Sequence, residues 1–344
     1  MISRSSKGEQ MDVTVAICTY ERYGGVEEAL QSLAAQKYDP SVVNTVVIDN
    51  GPQRYLTYHP EIVEKFNRLF PVTVVTEPRL GISNARNKAL STCRTSHIAF
   101  LDDDCIASPN WLKALIAPIQ LMGDAVGAVG GRSLGIWNFE MPTWLSRSLQ
   151  GYLSIIDWGP KRMDLIPPLY LVGGNSLFLV RALREAGGFD TALGRLGGTL
   201  LGNEEIEVCD RIRDAGYRIL YEPEAIVGHK IPQDRAQMEW FRKRVFWQAV
   251  SDLIQGEQKT AGNWPVEGQA WDADVVCSSA PQPIRIPFDC ELKNIYRLVS
   301  VLACGYSVSG FGESRLAGLT SKEETPVSPE QNDVDLPDHN VEFP

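Results

Sequence analysis

The chain has 344 residues, enough for one large domain or two of moderate size, with 44% hydrophobic and 22% charged residues. That is globular material, neither collagenous nor disordered. The net charge of −10 speaks against wrapping nucleic acid, for which a basic face supplies most of the affinity.

Residues 13–18 (VTVAIC) read as a short apolar strand. Val26, Ala29, Leu30, Leu33 and Ala34 then recur at i, i+3, i+4, i+7 and i+8, the stripe of a helix packed on a sheet. Residues 42–48 (VVNTVVI) predict a second strand, 61–69 a helix, 72–76 a third strand and 83–90 a helix. Residues 97–101 (HIAFL) predict a fourth strand, and Trp111, Leu112, Leu115, Ile116 and Ile119 another helical stripe. This β-α-β-α order predicts a mostly parallel sheet with helices on both faces, whose ligands bind beyond the carboxyl ends of the strands. Residues 132–168 are rich in Trp, Gly and Pro without clear periodicity and read as a loop-rich insertion. A strand-like stretch over 219–227 leads to His229, a helix covers 239–254, and a last apolar helix is expected near 292–304. Residues 321–344 hold seven acids against one Lys and read as a disordered tail, which leaves the body close to neutral.

The seven cysteines are scattered and form no CxxC pair, which fits a reducing compartment better than a disulfide framework. Residues 1–12 have no apolar signal core, and the uncharged run 298–312 is short for a membrane span. The expectation is a cytoplasmic protein, compatible with peripheral contact at a membrane surface.

Acids at three places carry the chemistry. The strand HIAFL runs into Asp102-Asp103-Asp104. In an extended segment Asp102 and Asp104 would point to one side, with Asp103 opposite. Converging carboxylates suit Mg2+ or Mn2+ and a diphosphate, while the structural alternative is a solvated turn capping the next helix. In GNEEIE, Asn203 suits a helix N-cap and acids suit the first turn. Glu205 lies at i−3 and i−4 from Val208 and Cys209 and so extends the apolar stripe, whereas Glu207 pairs with Arg211 on another face. An inward carboxylate at a helix start is either a buried ion pair or an active-site base. His229 is either structural or a neutral metal ligand.

Together these segments resemble family-2 glycosyltransferases, the inverting group with a GT-A fold, from about residue 12 to 229. CTYER (18–22), VIDNG (47–51), EPRLGISNARNKAL (77–90), FLDDDC (100–105), VGGNSLFLVRALREAGGFD (172–190) and GNEEIEVCDRIRDAGYRI (202–219) follow the family's order. The resemblance implies an α/β GT-A fold with a mostly parallel central sheet. The domain limits are a flexible N-terminus (1–11), a catalytic domain (12–232), a helical extension (233–319) and an acidic tail (320–344). It implies nucleotide-sugar contacts at Thr19, Tyr20, Glu21, Arg22, Asp49, Asn50, Arg79, Gly81, Arg86, Asp102 and Asp103. Gly174, Asn175 and Trp158 fall on the sugar and acceptor side. Asp104, Asp102 and His229 become metal ligands for Mn2+ or Mg2+. Glu205 stands where the family usually has an Asp base, one methylene longer, with Glu204 as its rival.

The function implied is transfer from a nucleoside-diphosphate sugar, a UDP-sugar by preference, to a hydroxyl on a saccharide or lipid-linked saccharide. The QxxRW signature of processive synthases is absent, with Arg244-Val245-Phe246-Trp247 only a loose substitute. A haloacid-dehalogenase-like phosphatase would commonly carry Thr where Ile106 stands, and a Rossmann dehydrogenase would need GxGxxG where only Gly24-Gly25 occurs. The alternatives kept are a nucleotidyltransferase on a related sheet and a nucleotide-sugar-binding partner without catalysis.

Overall fold

A computed structural model describes residues 11–258, 291–293 and 295–296. The expected acidic tail and most of the last apolar helix lie outside the described residues.

The chain begins β1 (Val13–Thr19), α1 (Tyr23–Ala34), β2 (Val43–Asp49), α2 (Tyr55–Tyr58), α3 (Glu61–Glu64) and β3 (Val72–Thr76). It continues α4 (Ile82–Thr92), β4 (His97–Leu101), β5 (Cys105–Ala107) and α5 (Trp111–Met122). Then come β6 (Val126–Trp137), β7 (Met163–Asp164), β8 (Asn175–Leu179), α6 (Val180–Glu185), α7 (Glu204–Asp214), β9 (Arg218–Ile231) and α8 (Met238–Gln258). The sheet order is β3-β2-β1-β4-β8-β6-β9-β5, with β7 beside β9.

The strands show why both faces are covered. Val13, Val15 and Ile17 join the core under α1 and α5, while Ala16 and Cys18 join the opposite core with α4, α6 and α7. The same alternation holds in β4, with Ala99 and Leu101 on one side and Ile98 and Phe100 on the other. A sheet buried on both faces therefore reads as continuous apolar runs.

The expected parallel order holds for β3, β2, β1 and β4. Beyond them β8 runs antiparallel to both β4 and β6, while β6 and β9 are parallel. The helix expected over 61–69 divides into α3 and a 3-10 segment, Lys65–Arg68. Asn67 there accepts the Val72 N–H at 2.8 Å and turns the chain into β3.

The stretch from residue 132, expected as loop, begins as the second half of the twelve-residue strand β6. Its glycines conceal the strand signal, and close packing explains them. A Cβ on Gly131 would stand 1.9 Å from the Ala225 carbonyl oxygen and 2.7 Å from Asn175 Nδ2. Gly131→Ala is expected to destabilise the fold by about 1–3 kcal/mol through overpacking, read as a lower urea midpoint. Trp137 and Trp144 pack in a separate core, with Leu149, Phe241 and Val245, that seats α8 against the end of β6 and the 145–153 segment. Among the described residues no helix is long and apolar enough to cross a membrane.

Candidate active site

The carboxyl ends of β1 and β4, the start of α7 and the flank of α8 enclose a cleft of about 730 Å3. Thr19, Tyr20, Arg22, Asn50, Gly81, Arg86, Asp102, Asp104, Gly174, Glu204, Glu205 and His229 all line it. The topology explains the convergence, because parallel strands release their chains at one edge.

Asp102, Asp103 and Asp104 form a tight turn rather than an extended run, closed by the Cys105 N–H on the Asp102 carbonyl at 3.0 Å. Asp102 and Asp104 still reach the cleft, and Asp103 is buried behind it. Arg22 ion-pairs with both Asp103 and Asp104. Burial pushes the Asp103 carboxyl up to about 7, against the pull of Arg22. Burial acts on Asp104 as well, but His229, Arg22 and Arg235 outweigh it and hold that carboxyl well below the usual range.

His229 reaches Asp104 through strand pairing. Cys105 stands opposite His229 in the β5–β9 register, and the Lys230 N–H donates to the Asp104 carbonyl at 2.9 Å. This places His229 Nε2 3.4 Å from Asp104 Oδ2. One carboxylate oxygen and one imidazole nitrogen therefore face each other at the cleft, a donor pair that suits a divalent ion. Among the described residues no group of three or more His, Cys, Asp or Glu side chains converges to hold a metal. An ion here fits only with phosphate oxygens and water completing its shell.

On the other side Arg86 is buried between two carboxylates. Its Nη2 lies 3.3 Å from Asp102 and its Nη1 donates to Glu204 at 2.7 Å. Phe100 and Phe189 hold the guanidinium at 5.9 and 5.6 Å from their ring centroids. Glu204, expected only as a rival to Glu205, is thus committed to an ion pair and is buried. Glu205 is half-buried, lines the cleft, and has an Oε2 shielded from solvent without a hydrogen-bond partner among the described residues. Burial first, and the neighbouring Glu204 second, push its carboxyl up to about 8 against the pull of Arg86.

Asn203 stands at the N-cap position of α7 but makes no capping bond. Its amide donates instead to Asp252 at 2.6 Å and Gln255 at 3.0 Å, tying α7 to α8.

Six of the expected contact residues do not line the cleft: Glu21, Asp49, Arg79, Asp103, Asn175 and Trp158. Asp49 is fully buried, and its carboxylate accepts the N–H groups of Gly51 at 3.1 Å and Leu56 at 3.0 Å. Arg79 is exposed and paired with Glu77. Asn175 accepts from Trp111 Nε1 at 2.8 Å and donates to the carbonyls of Arg132 and Ala225, so it fastens β8 to its neighbours. The Trp158 indole donates to the Tyr170 carbonyl at 2.9 Å and packs on that ring. Asn50 does line the cleft, and it also shapes the 77–81 loop through bonds to the carbonyls of Glu77 and Arg79 and the Gly81 N–H.

Sequence reasoning missed Arg195, Arg235, Tyr152 and Tyr170, and gave Arg244 no site role; all five line the cleft. Arg244 left one legible signal, a cation on the stripe of α8 that also carries Phe241 and Val245.

Residues 14–187 match the profile of glycosyl transferase family 2. A glucosyl-dolichyl phosphate glucuronosyltransferase of Haloferax volcanii is 30% identical over 249 residues, covering 71% of this chain and 77% of that protein. A pre-mycofactocin glycosyltransferase of Mycobacterium tuberculosis is 26% identical over 257 residues, 73% of this chain but only 49% of that protein, so the chain spans about half its length. A mannosyltransferase of Pyrobaculum calidifontis, solved with GDP-Man and Mn2+, superposes with a TM-score of 0.55 at 18% identity, covering 91% of this chain and 80% of that one. The chain therefore belongs to glycosyl transferase family 2. Its fold is GT-A and it is a glycosyltransferase.

Proposed function

We propose that this chain moves a sugar from a nucleoside-diphosphate sugar to an acceptor hydroxyl with inversion, and that a divalent cation assists. The observation that carries the reading is the contrast between the two acids at the head of α7. Arg86 holds Glu204, while the Glu205 carboxylate faces the cleft with one oxygen unengaged among the described residues. Glu205 takes the proton of the acceptor hydroxyl. The acceptor oxygen then bonds to the anomeric carbon from the face opposite the diphosphate. The bond from that carbon to the phosphate oxygen breaks, and the nucleoside diphosphate leaves with the electron pair.

Asp104 and His229 would hold the cation, which supplies Lewis-acid stabilisation of the diphosphate charge. Arg22 and Arg235 flank Asp104 and stand ready to bind phosphate oxygens. A UDP-sugar is the proposed donor, with GDP-mannose as its competitor because the structural neighbour was solved with it. A saccharide or lipid-linked saccharide is the proposed acceptor, in line with the Haloferax relative's name.

Thermal stabilisation and slow donor hydrolysis, scored over UDP- and GDP-sugars with Mn2+, Mg2+ or EDTA, test the reading. One donor is expected to stabilise the protein only with metal. Asp104→Asn is expected to weaken that metal-dependent binding by about 100-fold or more. Binding that ignores both EDTA and the substitution removes the cation from the proposal.

A further inference from the structure

Beyond Glu205 the cleft wall is formed by α8 and the loop that precedes α7, and it carries two guanidiniums that make no ion pair among the described residues. Arg244 is only 9% exposed. Its guanidinium stands 5.7 Å from the Tyr152 ring centroid. Its Nε and Nη1 are shielded from solvent and have no hydrogen-bond partner among the described residues. Arg195 shares this wall, and its Nη1 donates to the Leu201 carbonyl at 2.7 Å. Neither cation forms an ion pair within the described residues. Every other cleft guanidinium does: Arg86 with Asp102 and Glu204, Arg22 and Arg235 with Asp104. Burial works against both charges, and with Arg244 nearby it pulls Arg195 down to about 9. Nearby carboxylates offset only part of that burial, and a buried cation without a contact ion pair is unfavourable until something supplies one. Glu205 lies within electrostatic reach of both, so the pair is on the base's side of the cleft.

We propose that Arg244 and Arg195 form an anion subsite beside Glu205, and that one of the two substrates brings a carboxylate or phosphate to it in addition to the donor's diphosphate. The subsite rests on the transferase reading for its role, but it can be tested separately. Its two chemical sources are a hexuronate on the donor and a phosphate on the acceptor. An anion entering beside a carboxylate base needs cations facing it, and two guanidiniums provide planar forks for that purpose.

Calorimetric titration of the full chain separates the cases. The donor arm compares a nucleoside diphosphate alone, the same nucleotide carrying a neutral hexose, and the same nucleotide carrying a hexuronate, all with Mn2+. The acceptor arm compares farnesyl phosphate with farnesol, without nucleotide. In one arm the anionic probe is expected to bind about tenfold or more tighter than its neutral counterpart. Arg244→Gln is expected to erase that preference, and Arg244→Lys to keep part of it. The nucleoside diphosphate alone should lose less than about twofold in Arg244→Gln, since its cations are elsewhere. Melting of the free Arg244→Gln protein should not fall, because a buried charge without an ion pair has been removed. The arm that shows the preference names the source. No preference in either arm overturns the subsite. So does a loss of nucleoside diphosphate affinity in Arg244→Gln as large as the loss for the anionic probe, which would assign Arg244 to the diphosphate. A chain that ignores nucleotides yet prefers farnesyl phosphate keeps the subsite and defeats the proposed nucleoside-diphosphate-sugar donor.

Discussion

Glu205→Gln is expected to lower sugar transfer by about 10²–10⁴-fold while donor binding persists, the range for removing a general base. The amide keeps the size and the place at the cleft but cannot take the acceptor's proton. Glu204→Gln serves as the contrast, because it disturbs the Arg86 ion pair instead. The pH profile carries the same assignment. Burial and Glu204 lift the Glu205 carboxyl to about 8, and a base works only when ionised. The kcat/KM of transfer should therefore rise with pH to a midpoint near 8, and the residual rate of Glu205→Gln should lack that rise. Stability follows with the opposite sign. From the ordinary value of 4.5 up to about 8 the folded protein keeps a proton that the unfolded chain has released. This group's contribution to stability thus falls as pH rises across that window, and Glu205→Gln flattens the fall. Single-turnover transfer and urea melts across the window check both. A Glu205→Gln enzyme with full transfer would remove Glu205 from the mechanism.

Arg86→Met should be the most destabilising substitution in the cleft. The guanidinium is almost fully buried, between Asp102 and Glu204 and beside Phe100 and Phe189. Removing it leaves buried carboxylate charge uncompensated, a loss of about 3–5 kcal/mol. The guanidinium is closely fitted against the backbone, since a Cβ on Gly173 would stand 2.2 Å from Arg86 Nη2. Denaturant midpoints measure the loss, and donor affinity should fall with it because Asp102 loses its orienting partner. Arg86→Lys is expected to recover only part of the stability, since one ammonium cannot span both carboxylates as the guanidinium does. A midpoint unchanged in Arg86→Met would show that the carboxylates find other partners.

Much of the parallel half was legible because its signals are local. The apolar runs of β1, β2 and β4 and the stripes of α1 and α5 report burial on two faces without reference to distant residues. The acids at 102–104 and 204–205 were legible as chemistry for a similar reason, since each stands at the end or start of a readable element. Strand β6 was not legible. Its Gly130 and Gly131 answer close contacts with Leu171 and Ala225, residues far along the chain. The role of Asn175 was misread for the same cause: it lies in a family motif, but its partners Trp111, Arg132 and Ala225 belong to other elements.

The sequence by itself determined the α/β class, the run of acids after β4 and the paired acids of α7, because hydrophobic period and residue type are properties of neighbours in the chain. Tertiary structure decided what each acid meets. The β5–β9 register brings His229 to Asp104. The packing of α4 against α7 gives Arg86 to Glu204 across 118 residues and leaves Glu205 to the cleft. The seating of α8 adds Arg244 to the same wall. An ion pair or an unpaired charge is a relation between distant side chains, and only the folded register and packing create it.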